Sequence, residues 1–338
     1  MKEKIRGNIV CLIKTCEKKI IFTRLFVVCI VMLTSFPNSS YSQFDGKFSQ
    51  YMNNLCLINP AYVGEQSMMQ VSIFQRTQWL GMKGAPITSV LSADMPLKIF
   101  NSEHGLGIQF VSDIFSVFNN QQANFSYSYK YVFKESKLNF GATLGFINII
   151  CNGDSINISK ITESDYHHPN DPKIPTGKQS GVGFNLGLGA QFLTDNYRVG
   201  LSLSHITSPS ISLGDQADFK IKPLMQIHGG YDFSTRNPDY KIRTNVLIVS
   251  DFTDWTTHFS VILDIKNKFW AGAGYGLQDA VSLMFGIKLF EGFDVGYTFD
   301  LPTNKWITNS FGTHEIFATY EFALVREKSK AFKSLRIL

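Results

Sequence analysis

The stretch Phe184-Asn185-Leu186-Gly187-Leu188-Gly189-Ala190-Gln191-Phe192 decides the fold, because it alternates apolar residues with small or polar ones. Successive side chains of a strand point to opposite faces, so this pattern predicts a β-strand with one apolar face. The same alternation recurs in residues 138–146 and 199–204. A soluble β-sandwich alternates too, but runs of about ten residues match a tilted membrane strand. The pattern favours an all-β, transmembrane antiparallel barrel.

Read in this way, the chain contains fourteen predicted strands. They are residues 68–78, 86–96, 105–115, 120–133, 137–151, 181–194, 197–206, 225–233, 241–250, 257–265, 269–276, 280–290, 293–299 and 312–322. The number is even, as expected for a single-chain bacterial barrel.

The predicted connections differ in length according to their place in the chain. Those after even-numbered strands are mostly short, namely residues 134–136, 195–196, 266–268 and 291–292. The three longest follow odd-numbered strands, at residues 152–180, 207–224 and 300–311. Outer-membrane barrels keep short turns on the periplasmic side and long loops outside. The lengths therefore predict a periplasmic N-terminus and external long loops.

The N-terminal 42 residues have the pattern of a signal peptide. Basic residues precede an apolar run over 25–33, and Ser40 and Ser42 supply small residues before a cleavage between Ser42 and Gln43. An N-terminal membrane anchor is the alternative, but the apolar run is far shorter than the roughly 20 residues that span a bilayer. Cleavage predicts a mature protein that begins at Gln43.

Charge argues against a nucleic-acid partner. The net charge of +5 resides in the leader, because removing its seven basic and two acidic residues from the totals of 32 and 27 leaves 25 of each. A nucleic-acid surface would need a basic patch on the folded part. The segment 323–338 is locally basic, and it is predicted to be a periplasmic tail that is solvated or contacts a partner.

Cofactor chemistry and catalysis have weak support in the sequence. Only Cys56 and Cys151 follow the leader, so one disulfide is the most they allow. An acidic and histidine-containing cluster in the longest loop fits no metal motif, and no metal or other cofactor is expected. Its members are Glu163, Asp165, His167, His168 and Asp171. His205, His258 and His314, with Asp251 and Asp254, lack a framed nucleophile. We therefore expect no enzyme.

A series of short motifs gives the chain a family resemblance. The motif residues are Phe48, Ser49, Gln50, Tyr51, Met52, Asn59, Pro60, Ala61, Tyr62, Gly64, Arg76, Gln78, Trp79, Gly84, Pro86, Trp270, His314 and Glu315. In this order they resemble the PorP/SprF family of outer-membrane proteins from Bacteroidota, over about residues 43–322.

The resemblance implies a non-catalytic component of the type IX secretion and gliding-motility machinery in the cell outer membrane. Such a protein is needed for export or surface attachment of a large surface protein or adhesin with a C-terminal sorting domain. Its other expected partners are outer-membrane lipid and the periplasmic ring and peptidoglycan-associated components. The alternative function is a passive porin or a hydrophobic-solute channel.

The predicted organisation has four parts: a signal peptide at 1–42, an irregular segment at 43–67, the barrel at 68–322 and the tail. In the irregular segment, Asn59-Pro60 fixes a turn and blocks a helix. The apolar residues around it are too irregular for a strand. We expect the segment inside the barrel or along its periplasmic mouth, as a plug or as a docking site for a partner.

Overall fold

A computed structural model describes residues 45–153, 177–214, 217–304, 308 and 310–323. The predicted signal peptide with its cleavage site at Ser42 and Gln43, the acidic and histidine-containing cluster and nearly all of the basic tail lie outside these residues. The described chain begins with three short 3-10 turns, η1 (Tyr51–Asn53), η2 (Leu55–Leu57) and η3 (Pro60–Tyr62), and continues as strands.

Sixteen strands follow the turns along the described chain. They are β1 (Met69–Thr77), β2 (Ile87–Ile99), β3 (Ser102–Phe115), β4 (Phe118–Phe133), β5 (Ser136–Asn152), β6 (Lys178–Thr194), β7 (Tyr197–Ser204), β8 (Ser210–Leu213), β9 (Ala217–Lys220), β10 (Leu224–Ser234), β11 (Tyr240–Ser250), β12 (Trp255–Ile265), β13 (Phe269–Gly276), β14 (Ala280–Phe290), β15 (Phe293–Pro302) and β16 (Thr313–Phe322).

Fourteen of these strands form one closed antiparallel barrel. Every strand pairs with its neighbour in the chain except that β7 pairs with β10, and β1 closes the barrel against β16. The closing register joins Met69 to Phe322 and Thr77 to His314. Each predicted strand corresponds to one barrel strand, so the predicted fourteen-stranded barrel is confirmed.

The apolar face of each alternating strand points outwards. On β5 and β6, Phe146 is 60% exposed and Leu188 is 52% exposed, whereas Asn139 and Gln191 face the lumen and are buried. Outward aromatic side chains cluster near the short turns, with Tyr131 near Phe133 and Tyr231 near Phe233. This is the aromatic girdle expected at a membrane interface.

The connections sort between the two ends of the barrel as predicted. At one end all the turns are short, and the longest of them is residues 235–239. The other end carries the connections 78–86, 153–177, 205–223 and 303–312. By the rule for outer-membrane barrels, the first is the periplasmic end and the second is the external end.

The hairpin β8–β9 is a feature that the loop prediction for residues 207–224 missed. It folds back onto the inner wall of the barrel, where Ile211, Leu213 and Ile221 join a buried cluster with Ile147 and Ile149 of β5. The packing is close because a Cβ at Gly181 would lie 2.4 Å from the carbonyl oxygen of Ser212. The hairpin therefore covers part of the external opening.

Within the described ranges, no helix combines the length and the apolar character needed to cross a bilayer.

Candidate functional site

Residues 45–65, which we call the luminal segment, run through the interior of the barrel. Asp45 lies beside Gln122 and His205 near the external ends of β4 and β7, whereas Glu65 contacts Lys137 and Asn139 near the periplasmic start of β5. The segment thus descends from the external end to the periplasmic end, where β1 begins. The described chain therefore starts at the external end, which corrects the expectation of a periplasmic N-terminus.

A buried ion network anchors the segment near the external end. The Arg76 guanidinium lies 2.7 Å from Asp300 Oδ2 and also contacts the Glu315 carboxylate. Glu315 accepts hydrogen bonds from the backbone N–H of Ser49, at 2.7 Å, and of Gln50, at 3.2 Å. The Ser49 hydroxyl donates to Asp300 at 2.7 Å. Four motif residues, together with Asp300, therefore join the luminal segment to β1, β15 and β16.

A second external anchor is the ion pair between Asp45 and His205, whose Oδ2 and Nε2 atoms are 2.8 Å apart. Burial alone would lower the pKa of His205, but the Asp45 carboxylate and its hydrogen bond raise that pKa. Burial would likewise raise the pKa of Asp45, but His205 lowers it. The shifts favour a charged pair, because opposite charges at this distance stabilise each other.

The Asn59-Pro60 step holds the middle of the segment against the wall. Asn59 caps η3, accepting from the backbone N–H of Ala61 at 2.9 Å and donating to the Ala190 carbonyl at 3.2 Å. Glycines on the wall permit this approach: a Cβ at Gly141 would lie 2.3 Å from Ala61 N, and one at Gly189 would lie 2.1 Å from Asn59 Oδ1. The small face of the alternating strands therefore makes room for the segment.

Charged groups hold the periplasmic end of the segment. The backbone N–H of Gly64 donates to Asp94 at 2.8 Å, and its carbonyl accepts from the Lys130 ammonium. Glu65 lies 3.5 Å from Lys130 and 3.0 Å from Lys137. Gly64 has a φ of +65°, which a residue with a side chain adopts only with strain. This position explains the glycine of the motif.

Apolar packing completes the contact between segment and wall. Tyr51 and Met52 are buried in a cluster that includes Phe74, Trp270 and Phe317. The ring of Phe48 packs edge-on against Phe74, with 5.7 Å between centroids, while Phe74 and Trp270 both stack on Phe317. Tyr62 packs against the same cluster. The luminal segment is therefore a packed part of the core.

Five of the motif residues that lie outside the luminal segment are found at the external rim of the barrel. Gln78, Trp79, Gly84 and Pro86 belong to connection 78–86, which hydrogen-bonds to the neighbouring external turns. Trp79 N donates to Thr313 at 3.1 Å, Gln78 N donates to the Pro86 carbonyl, and Gly84 O accepts from Ser116 N. His314 Nδ1 is 2.6 Å from the Tyr297 hydroxyl. These residues shape the external rim.

A partly open space of about 110 Å³ lies beside the luminal segment. Its lining combines carboxamides, among them Asn120, Gln122 and Asn185, with aliphatic side chains such as Leu57 and Ile58. Asn120 is buried and neither atom of its amide has a hydrogen-bond partner among the described residues. The space has the dimensions of a small solute, far below the bore of an open pore.

The candidate catalytic residues are not assembled around a nucleophile. His258 lies 3.8 Å from Asp279, while Asp251 accepts from the backbone N–H groups of Thr253 and Asp254 and so shapes its own turn. Among the described residues, no group of three or more His, Cys, Asp or Glu side chains is placed to hold a metal ion. Cys56 and Cys151, the two cysteines within the described ranges, are free thiols.

Several residues of the anchors have no motif to mark them. They are Asp45, Glu65, Asp94, Asp300 and His205. Asp94 and Asp300 occupy inward positions of strands, on the face that carries small and polar residues. Their charge at such a position is the only local signal that marks them. Their partners are distant in sequence and could not be read from it.

The fold defines a class: a membrane-spanning β-barrel with an apolar outer wall, whose lumen holds the luminal segment. The sequence matches, over residues 40–320, the family described as type IX secretion system membrane protein PorP/SprF. Because the match covers most of the chain, this protein belongs to the PorP/SprF family and lies in the outer membrane. A search of curated proteins finds no match.

Solved outer-membrane barrels are similar to this chain in outline. The CymD monoaromatic hydrocarbon channel shares 13% identity at a TM-score of 0.46, covering 84% of this chain and 95% of its own. The P. putida toluene transporter TodX shares 13% at 0.44, covering 84% and 96%. An Acinetobacter baumannii outer membrane protein shares 9% at 0.46, covering 77% and 100%.

Proposed function

We propose that this protein is a non-catalytic component of type IX secretion that is needed for export or surface attachment of a partner protein with a C-terminal sorting domain. Family membership supports a role in the secretion system. The more specific role, with a large surface protein or adhesin as cargo, rests on the family resemblance.

The observation that carries the proposal is the filled lumen. The luminal segment is held by ion pairs at both ends and by apolar packing between them. A barrel used as a conduit would need a continuous aqueous path, whereas a barrel used as a rigid platform benefits from a packed interior. The plug therefore favours action by protein–protein contact over conduction.

The two ends of the barrel divide the proposed contacts. The external connections, with the rim built from residues 78–86 and 310–312, would face the surface protein. The short turns and the basic segment 323–338 would face the periplasmic ring and peptidoglycan-associated components. In this arrangement the motif residues of the luminal segment act as the plug, and those of the rim contribute to partner contact.

A deletion strain tests the proposal. Removing the gene should deplete one sorted surface protein, which accumulates inside the cell, while other proteins exported by the same system reach the surface normally. Quantitative proteomics of the cell surface and of the periplasm measures both, and plasmid-borne wild-type protein should restore the surface protein. Unchanged surface levels of every sorted protein would contradict the proposal.

The alternative is a channel for small hydrophobic solutes, and the amphipathic space beside the luminal segment is the observation in its favour. Liposomes that contain the purified protein should then take up small aromatic solutes faster than empty liposomes. We expect equal rates, because the packed luminal segment occupies the lumen beside this space. Faster uptake that disappears when Leu57 is replaced by Trp would favour the channel.

A further inference from the structure

Five neutral polar side chains form a continuous row on the outward face of the barrel. Each is the register partner of the next across strands β1 to β5. We call them the polar row: Gln75, Ser89, Ser112, Gln121 and Asn148. Their outward orientation is evident from the burial pattern. They alternate along each strand with inward-facing residues, and they lie on the same face as exposed apolar side chains.

The depth of the polar row places it at the outer edge of the apolar band. On β4, ten residues separate Gln121 from Tyr131 of the periplasmic aromatic girdle. At about 3.3 Å a residue and a tilt of about 40°, that separation corresponds to roughly 25 Å along the membrane normal. This is the height of the apolar band of an outer-membrane barrel. The row therefore lies where acyl chains meet headgroups in the outer leaflet.

A groove lies directly beside the polar row, on the side towards the membrane centre. Its volume is about 560 Å³, and apolar side chains from the next register row line it: Ile73, Leu91, Phe110, Ala123 and Phe146. The small Ala123 between two phenylalanines gives the groove its depth. The groove thus combines an apolar bed with a polar margin.

The hydrogen bonds within the row leave both donors and acceptors for a ligand. Ser89 donates to Gln75 Oε1 at 2.6 Å, and the amide nitrogen of Asn148 donates to Gln121 Oε1 at 3.4 Å. The amide nitrogens of Gln75 and Gln121 and the Asn148 oxygen keep hydrogen-bonding capacity. No charged side chain is among the described residues that line the groove. The margin therefore suits a neutral linkage and not a phosphate.

We propose that this groove is a binding site for one lipid of the outer leaflet whose acyl chain is attached through an amide. The chain lies on the apolar bed, and the amide meets the polar row, which supplies a donor for its carbonyl and an acceptor for its N–H. An ester linkage would use only the donors. The groove is continuous with the lipid-facing wall, so the ligand reaches it by diffusion within the leaflet.

Native mass spectrometry of the protein extracted in mild detergent, with analysis of the released lipid, tests this site. The wild-type protein should retain one amide-linked lipid. A variant with Ser89→Ala, Ser112→Ala and Gln121→Leu should lose at least tenfold of that occupancy. The control Thr244→Val removes an outward hydroxyl from β11, on another part of the wall, and should retain the lipid.

Heat-modifiable migration on gels shows whether each variant is folded before its lipid is counted. If the triple variant does not fold, the single variant Gln121→Leu takes its place, with an expected loss of at least threefold. Retention of the same lipid by folded variants would overturn the proposal. So would a wild-type protein that carries no lipid or carries only ester-linked phospholipid.

Discussion

Replacement of Arg76 by Met tests whether the external ion network holds the luminal segment in place. Arg76 is buried between Asp300 and Glu315, whose side chains are also almost fully buried. Removing the guanidinium leaves two carboxylates close together without a counter-charge, and breaking a buried ion pair in this way costs about 3–5 kcal/mol. We expect a loss of that size in the free energy of unfolding.

The matched variant Glu315→Gln should be much milder. Its side chain has the same shape and still offers one oxygen to the backbone N–H of Ser49, and the Arg76–Asp300 pair remains balanced. The lost charge-assisted hydrogen bonds suggest a cost of about 1–2 kcal/mol. Guanidinium unfolding in detergent, followed by the fluorescence of tryptophans such as Trp270, measures both. Equal costs, or a larger cost for Glu315→Gln, would contradict the role of Arg76 as the counter-charge of both carboxylates.

Three other predictions address the luminal segment and the orientation of the barrel in the membrane. Gly141→Val should expel the middle of the luminal segment, because even a Cβ would meet Ala61 N at 2.3 Å; the assay is protease cleavage within residues 45–65, and a resistant variant would contradict it. The stabilising Asp45–His205 pair should be strongest between about pH 4 and 6.5. The contribution of His205, whose folded pKa is raised, is complete below 6.5 and falls as pH rises through that folded pKa. The contribution of Asp45, whose folded pKa is lowered, is complete above 3.8 and falls as pH drops through that folded pKa. Asp45→Asn should flatten this dependence in unfolding measurements, and an unchanged profile would argue against the pair. On intact cells, Lys83→Cys should react with a membrane-impermeant maleimide and Lys134→Cys should not; the reverse would invert the barrel.

The barrel was predictable because its signal is local. Alternation in segments such as 184–192 determines which face of each strand is apolar. In a membrane barrel the apolar face contacts lipid, so the alternation alone indicates which side chains point outwards. The even number of strands agreed with a closed barrel, and the lengths of the connections predicted which end is external. The hairpin β8–β9 escaped prediction because its four-residue strands are stabilised by tertiary packing on β5 and β6.

The luminal segment was predictable only in outline. Asn59-Pro60 and the aromatic residues around it indicated an irregular segment. The interior of the barrel was one of the two locations that we expected for it. Its direction could not be predicted, because the contacts that fix it join residues far apart, such as Ser49 and Glu315, which are 266 positions apart. Sequence identifies such groups as charged or polar but does not identify their partners.

The conductance of the purified protein in planar lipid bilayers tests the central claim, that the luminal segment closes the barrel. We expect no steady conductance for the full chain and open-channel steps once residues 45–65 are replaced by a flexible Gly/Ser linker of the same length. Large steady open-channel steps from the wild-type protein would contradict the claim and would favour a pore.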